Sequence, residues 1–324
     1  MYSHVINKKV LSAVALTSVI LAPSLATGPS AASASSKLMV IITPPHDNPF
    51  FAAEATVAIA EAQKLGYQTL SLNNNNDPTT QSNEIGEAIS DHAAAIILDN
   101  AGAEASIAAI QRAKTAGVPT FLIDREIDAT GVAVAQIVSN NFQGAELGGA
   151  YFAKVMGEKG DYAEILGLAT DTNSATRSAG FLAVLKQIPA MHLVASQAAN
   201  WDQTTAYNVT QTILQAHPNI TGIISLNDTM ALGVVAALKA AHKTNVKIVA
   251  MDGSPQVVSL IRSGQVSGDV LQPLAVFSKL AVDEANTYIK TGKTGKPEKQ
   301  LLPCYLITPA NAAEVTNFHL AGTP

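Results

Sequence analysis

The sequence predicts an α/β fold made of two similar, doubly wound parallel-sheet lobes. Three observations predict it. Apolar runs alternate with helical patterns along most of the chain. The runs are β-rich and continuous rather than alternating with polar residues, as strands buried on both faces must be. The alternation also comes as two consecutive series of βαβ units, which calls for two sheets.

In the first series, strands are predicted over 38–43, 68–72, 94–98, 120–123 and 133–139, with helices over 51–65, 79–91 and 103–116. Gly66 and Gly117 follow two of these helices at the position where a left-handed residue stops the turn. The second series runs helix 142–156, strand 162–168, helix 175–187, strand 192–199, helix 204–215, strand 222–225, helix 230–240, strand 247–250, helix 255–262 and strand 266–271. A long helix over 274–289 and a strand over 302–307 are left over. The chain is therefore expected to cross between the lobes more than once.

The first 36 residues are set aside from the fold. Lys8-Lys9, the apolar stretch 10–22 and the small residues Ala32-Ser33-Ala34 read as a secretory signal over 1–34, with the mature chain starting near Ser35. The apolar stretch is too short for a membrane span, and no later segment is long and apolar enough. The single cysteine, Cys304, permits no intrachain disulfide and cannot be a lipid anchor at the mature N-terminus. Export to a periplasm is the expectation. With 48% hydrophobic and 14% charged residues in 324, the chain can build two substantial cores. A formal charge of −5 with scattered lysines and arginines offers no broad basic surface for nucleic acid or anionic lipid.

Polar residues recur where the predicted strands end: Asp99-Asn100, Asp124-Arg125, Asn227-Asp228, Asp252-Gly253 and Gln272. In an open parallel sheet those ends border the ligand crevice. Capping explains any one such residue; it explains the whole set less well. Near the first strand, Asn48 offers donors and an acceptor, and Phe50 and Phe51 offer flat apolar faces. That combination suits hydroxyls set around a hydrocarbon skeleton, as in a sugar or sugar alcohol. The competing reading makes Asn48 a helix cap, Pro49 the first helical residue and the two rings core.

Several segments appear in a set order: Asp47-Asn48-Pro49-Phe50-Phe51, Ile123-Asp124-Arg125, Arg177 before Gly180-Phe181, Asn200-Trp201-Asp202, the run from Asn227 to Gly233, Met251-Asp252-Gly253 and Gln272-Pro273. On these the chain resembles, over about residues 38–307, the ribose-type periplasmic sugar-binding proteins of ABC transporters, within the type I periplasmic binding protein family. The resemblance implies two lobes joined by a three-crossover hinge, with residues 37–138 plus 273–302 in the N-terminal lobe and 139–272 plus 303–319 in the C-terminal lobe. It implies ligand contacts from Asn48, Phe50, Phe51, Asp124 and Arg125 on one side and Arg177, Trp201, Asn227 and Asp252 on the other, with Gln272 at the crossing. His46, Asp47, Asp99 and Asn173 are possible additions. The expected partners are a small sugar or sugar alcohol, the membrane permease of an importer and, compatibly, a chemoreceptor. The chain is expected to be a monomer with no cofactor and no metal.

Trp201 stands where the ribose binders carry phenylalanine, and Pro44-Pro45-His46-Asp47 departs from their usual stretch, so a pentitol, tetritol or related polyol competes with ribose as ligand. The alternative functions are the ligand domain of a sugar-responsive transcription regulator, which needs a helix-turn-helix head, and a sugar-acting enzyme using Asp124 and Asp252 as acid and base. Asn73 to Asp77 lacks the spacing of a calcium loop, and the seven histidines show no zinc pattern. There is no phosphate-binding Gly-Lys loop and no serine elbow.

Overall fold

The computed structural model describes residues 37–323. The predicted signal lies outside them. The first series forms β1 (Leu38–Thr43), α1 (Pro49–Lys64), β2 (Gln68–Asn73), α2 (Pro78–Ser90), β3 (Ala95–Leu98), α3 (Ile107–Thr115), β4 (Thr120–Ile123) and β5 (Ala135–Ser139). Next come α4 (Asn141–Met156), β6 (Gly160–Leu166), α5 (Thr172–Leu185), β7 (Met191–Ala198), α6 (Gln203–Ala216), β8 (Gly222–Ser225), α7 (Asp228–Ala240), β9 (Lys247–Asp252), α8 (Pro255–Arg262) and β10 (Gly268–Leu271). The chain closes with α9 (Leu274–Thr291), β11 (Lys299–Leu302), β12 (Tyr305–Ile307) and a small hairpin, β13 (Val315–Thr316) and β14 (His319–Leu320).

The strands make two six-stranded sheets, ordered β2-β1-β3-β4-β5-β11 and β7-β6-β8-β9-β10-β12. All neighbours pair in parallel except β12, which runs antiparallel to β10. The chain passes from one sheet to the other three times, at 139–141, 271–274 and 302–305. These are the three crossovers of the predicted hinge.

Successive residues of β1 show why the sheets are covered on both faces. Met39 and Ile41 pack with Phe121 and Phe277 of β4 and α9, whereas Val40 and Ile42 pack with Ile85 and Ile110 of α2 and α3. Strands β3, β4 and β8 are buried at every position, whereas the edge strands β2 and β7 are largely exposed or half-buried. Most helices start on a polar cap at the end of a strand: Asn48, Asp77, Asp171, Asp202, Asn227 and Ser254 each accept a backbone N–H of the helix they begin. The caps thereby stand at the carboxyl ends of the strands, where the crevice forms. Gly66 and Gly117 take φ +87° and +81° just past α1 and α3, as predicted. Among the described residues no helix is long and apolar enough to cross a membrane.

Most boundaries fall within two residues of the sequence expectation, and three places differ by more. The strand predicted over 302–307 is two strands in two different sheets, β11 and β12. Pro303 has no N–H for a ladder, and the next N–H, of Cys304, is taken by Gln143 Oε1 at 2.9 Å. Helix α3 starts four residues late because Ala103 N bonds Thr170 O across the cleft at 3.0 Å and Ser106 receives Gln81 Nε2 at 2.7 Å. Helix α5 starts three residues early, on the Asp171 cap.

Candidate ligand-binding site

A cavity lies between the carboxyl ends of the two sheets, with about 230 Å³ of space among its side chains. Only about 20 Å³ of it admits the centre of a water molecule, so the side chains of the two lobes close tightly around it. All ten residues expected to contact a ligand line it. Asn173 lines it too, and Asp171, which the sequence reading did not single out, completes the wall. The other three possible additions stand elsewhere. His46 and Asp47 are exposed, with His46 Nε2 2.8 Å from Thr43 Oγ1. Asp99 is buried behind Arg125 and does not line the cavity.

The capping and ligand readings of Asn48 turn out to be compatible. Its Oδ1 accepts Phe50 N at 3.0 Å, which fixes the start of α1 and leaves Nδ2 uncommitted. Phe50 and Phe51 likewise belong to the first core and still line the cavity, their rings edge to face at 5.8 Å. Across the cleft, Asn227 caps α7 through Oδ1 and keeps its own Nδ2.

Arg125 follows β4 and is held from many directions. Its Nε is 2.8 Å from Asp171 Oδ2, 3.4 Å from Asp99 Oδ1 and 3.9 Å from Asp124 Oδ2. Its Nη1 donates to Asn100 O at 2.9 Å and to Asn76 Oδ1 at 3.2 Å, and its Cζ lies 5.0 Å from the Phe51 ring centre. The asparagine run of residues 73–76 is therefore the turn that supports this arginine. Asn74 Nδ2 also donates to Asp99 O at 2.8 Å.

Arg177, on α5, donates from Nε to Asn141 Oδ1 at 2.7 Å and from Nη1 to Leu226 O at 2.8 Å and Asp252 Oδ1 at 3.5 Å. Its Cζ stands 5.5 Å from the Trp201 ring. The indole packs flat against Gly167, where a Cβ would fall only 1.9 Å from it, and its Nε1 donates to Asp171 Oδ2 at 3.1 Å. Asp252 also accepts Gln272 Nε2 at 2.8 Å.

Burial raises the carboxyls of this region. Asp124 is pushed up to about 6 by desolvation, against the pull of Arg177 and Arg125. Asp252 is raised well above the usual carboxylate range by burial and by Asp228 beside it, with Arg177 opposing. Glu54, fully buried in α1, is raised by burial and then by the neighbouring Asp99 and Asp124 charges.

The protein's own bonds leave a definite remainder. Asp124 Oδ1 and Gln272 Oε1 are buried acceptors with no donor. The Nδ2 groups of Asn48 and Asn227 and the Nη2 groups of Arg125 and Arg177 are donors not used by other described residues. Buried polar groups are costly to leave unpaired, so this remainder describes the ligand: several groups that both donate and accept, on a compact skeleton between aromatic walls. Contacts already join the two sides of the cavity. Asn173 Nδ2 donates to Asp124 O at 3.2 Å, alongside the Arg125–Asp171 pair and the Ala103–Thr170 bond. Among the described residues no group of three or more histidine, cysteine or acidic side chains could hold a metal ion.

Two parallel-sheet lobes, three crossovers and a polar, aromatic-walled crevice define a solute-binding protein, and residues 39–294 match the family model of the periplasmic binding protein domain. The chain belongs to that family. It is 53% identical over 307 residues to the D-apiose import binding protein of Paraburkholderia graminis, covering 95% of this chain and 97% of that one. It is 52% identical to the D-apiose import binding protein of Actinobacillus succinogenes, covering 88% of this chain and 92% of that one. Among solved structures, the Caulobacter myo-inositol binding protein bound to myo-inositol superposes with a TM-score of 0.81 at 26% identity, covering 87% and 96% of the two chains. These relatives are binding proteins, not enzymes, which sets aside the sugar-acting enzyme and the regulator.

Proposed function

We propose that this chain is the periplasmic capture subunit of an ABC importer and that its ligand is D-apiose, held between the two lobes and handed on to a membrane permease. Binding breaks no bond in the ligand. The observation that carries the reading is the unspent hydrogen-bonding capacity of the cavity: acceptors on Asp124 and Gln272, donors on Asn48, Asn227, Arg125 and Arg177. A small sugar supplies both kinds of group from each hydroxyl. The two D-apiose relatives, each matching nearly the whole chain, point to that sugar.

In this reading the N-terminal lobe is residues 37–138 plus 273–302 and the C-terminal lobe 139–272 plus 303–319. Asn48, Phe50, Phe51, Asp124 and Arg125 meet one face of the ligand, and Arg177, Trp201, Asn227 and Asp252 meet the other. Gln272 lies at a crossover and touches it from the hinge. Because contacts come from both sides, ligand binding favours the closed arrangement over the open one.

Titration calorimetry of the mature chain tests the ligand. D-apiose is expected to bind with a micromolar or lower Kd, about −8 kcal/mol or better, and more tightly than D-ribose, tetritols, pentitols or myo-inositol. A pentitol or tetritol that binds more tightly than D-apiose, or no heat with D-apiose, rejects the assignment.

A further inference from the structure

The C-terminal hairpin is not needed for either sheet, yet it touches both sides of the molecule. Its root belongs to the second lobe: Ala312, Val315 and Leu320 lie in that lobe's core, and Arg262 of α8 donates to Ala312 O at 3.0 Å and to Val315 O at 3.3 Å. Its tip belongs to the first. Phe318 is buried in the first lobe's core, 5.7 Å from Phe50 in an edge-to-face pair at 85°.

The tip is built at a cost. Val315 pairs with Leu320 and Thr316 with His319, so the turn has two residues, Asn317 and Phe318, with φ of +47° and +58°. Such turns favour Asn-Gly, and a bulky residue at positive φ is an outlier that persists only when its surroundings hold it. Here the surroundings are Phe50, which in turn meets Phe51 at 5.8 Å, and Phe51 lies under Arg125 at 5.0 Å. The tip of an element rooted in one lobe thus abuts the aromatic wall of the other.

We propose that this hairpin is a fourth link between the lobes, and that Phe318 is a positioning residue that braces Phe50 in the closed form and slows release of the ligand. The inference rests on the sugar-capture reading, since Phe50 matters to release only as a wall of that site. The contact joins groups that move apart when the lobes open, so its loss acts on dissociation more than on association.

Stopped-flow kinetics and thermal melts with D-apiose test this on the mature chain. Phe318→Ala is expected to raise the dissociation rate about 3- to 10-fold, as loss of an aromatic pair implies, with the association rate within about twofold. The melting shift produced by D-apiose is expected to shrink. Phe318→Leu keeps an apolar plug without a ring edge and is expected to raise dissociation about two- to threefold; it carries the test if Phe318→Ala does not fold. A parent that binds and variants that release at its rate, with an undiminished melting shift, overturn the brace alone. A parent that binds no D-apiose and no other sugar or polyol overturns the capture reading, and the brace falls with it.

Discussion

Asp124 sits at the end of β4 with one oxygen unpartnered, and its carboxyl is pushed up to about 6, chiefly by desolvation. For folding, a raised carboxyl contributes stability that is complete below the ordinary carboxylate range and withdrawn as pH rises through about 6. For binding the sign reverses, because hydroxyls that donate to Asp124 favour its ionised form. D-apiose affinity is therefore expected to weaken as pH falls through about 6 and to flatten in Asp124→Asn; calorimetry between pH 5 and 8 gives the profile. Asp171 makes a different prediction. One of its oxygens caps α5 while the other meets both Trp201 and Arg125. Asp171→Asn keeps an oxygen for the cap but turns a donating amide toward the Trp201 and Arg125 N–H groups, so stability should fall by about 1–3 kcal/mol while Kd rises at least about 30-fold. A loss in melting temperature with affinity retained would make Asp171 merely a cap. Nothing local marks this role, because Thr170-Asp171-Thr172-Asn173-Ser174 offers several competing caps and only the fold selects one. By contrast, Arg177 and Trp201 were legible from their segments, and each truncation to alanine should greatly weaken binding without unfolding the chain.

At the scale of elements, the central strands were legible because burial on both faces leaves an unbroken apolar run, as in β3, β4 and β8. The strand ends were legible for the same reason: the run stops where polar residues turn into the crevice. What local pattern could not show was partner choice. The pattern predicts one strand over 302–307, but Lys299–Leu302 pairs with β5 and Tyr305–Ile307 with β10, a division set by two sheets distant in sequence. The loop after β6 carries a related long-range demand. Gly167 lies against the Trp201 indole, which itself follows β7 in a left-handed turn with φ +65°. Gly167→Ala would force the indole off Asp171, an overpacking of about 1–3 kcal/mol. Kd for D-apiose is expected to rise about tenfold or more, with near-ultraviolet circular dichroism reporting the displaced tryptophan; an unchanged Kd would mean that the indole position does not set the site.

At the scale of the molecule, the proposed function requires two lobes that separate to admit the ligand and meet to hold it. The structure shows the meeting arrangement, with the Ala103–Thr170 bond and the Arg125–Asp171 pair spanning the cleft. One position allows that arrangement to be fixed covalently. A Cβ placed on Gly102 would stand 3.9 Å from Thr170 Cβ, within the roughly 3.5–4.5 Å of a disulfide, although at its φ of +158° a side chain is strained. The native Cys304 should not compete: it is buried, and burial pushes its thiol up to about 12. In Gly102→Cys/Thr170→Cys, oxidation before ligand is added should lower the association rate at least about 100-fold, because a sugar can enter only through the open form. Oxidation after loading should instead trap the ligand, and reduction should restore both rates. If the oxidised protein takes up D-apiose as fast as the reduced one, the ligand reaches the cavity without lobe opening, and the three crossovers do not act as a hinge.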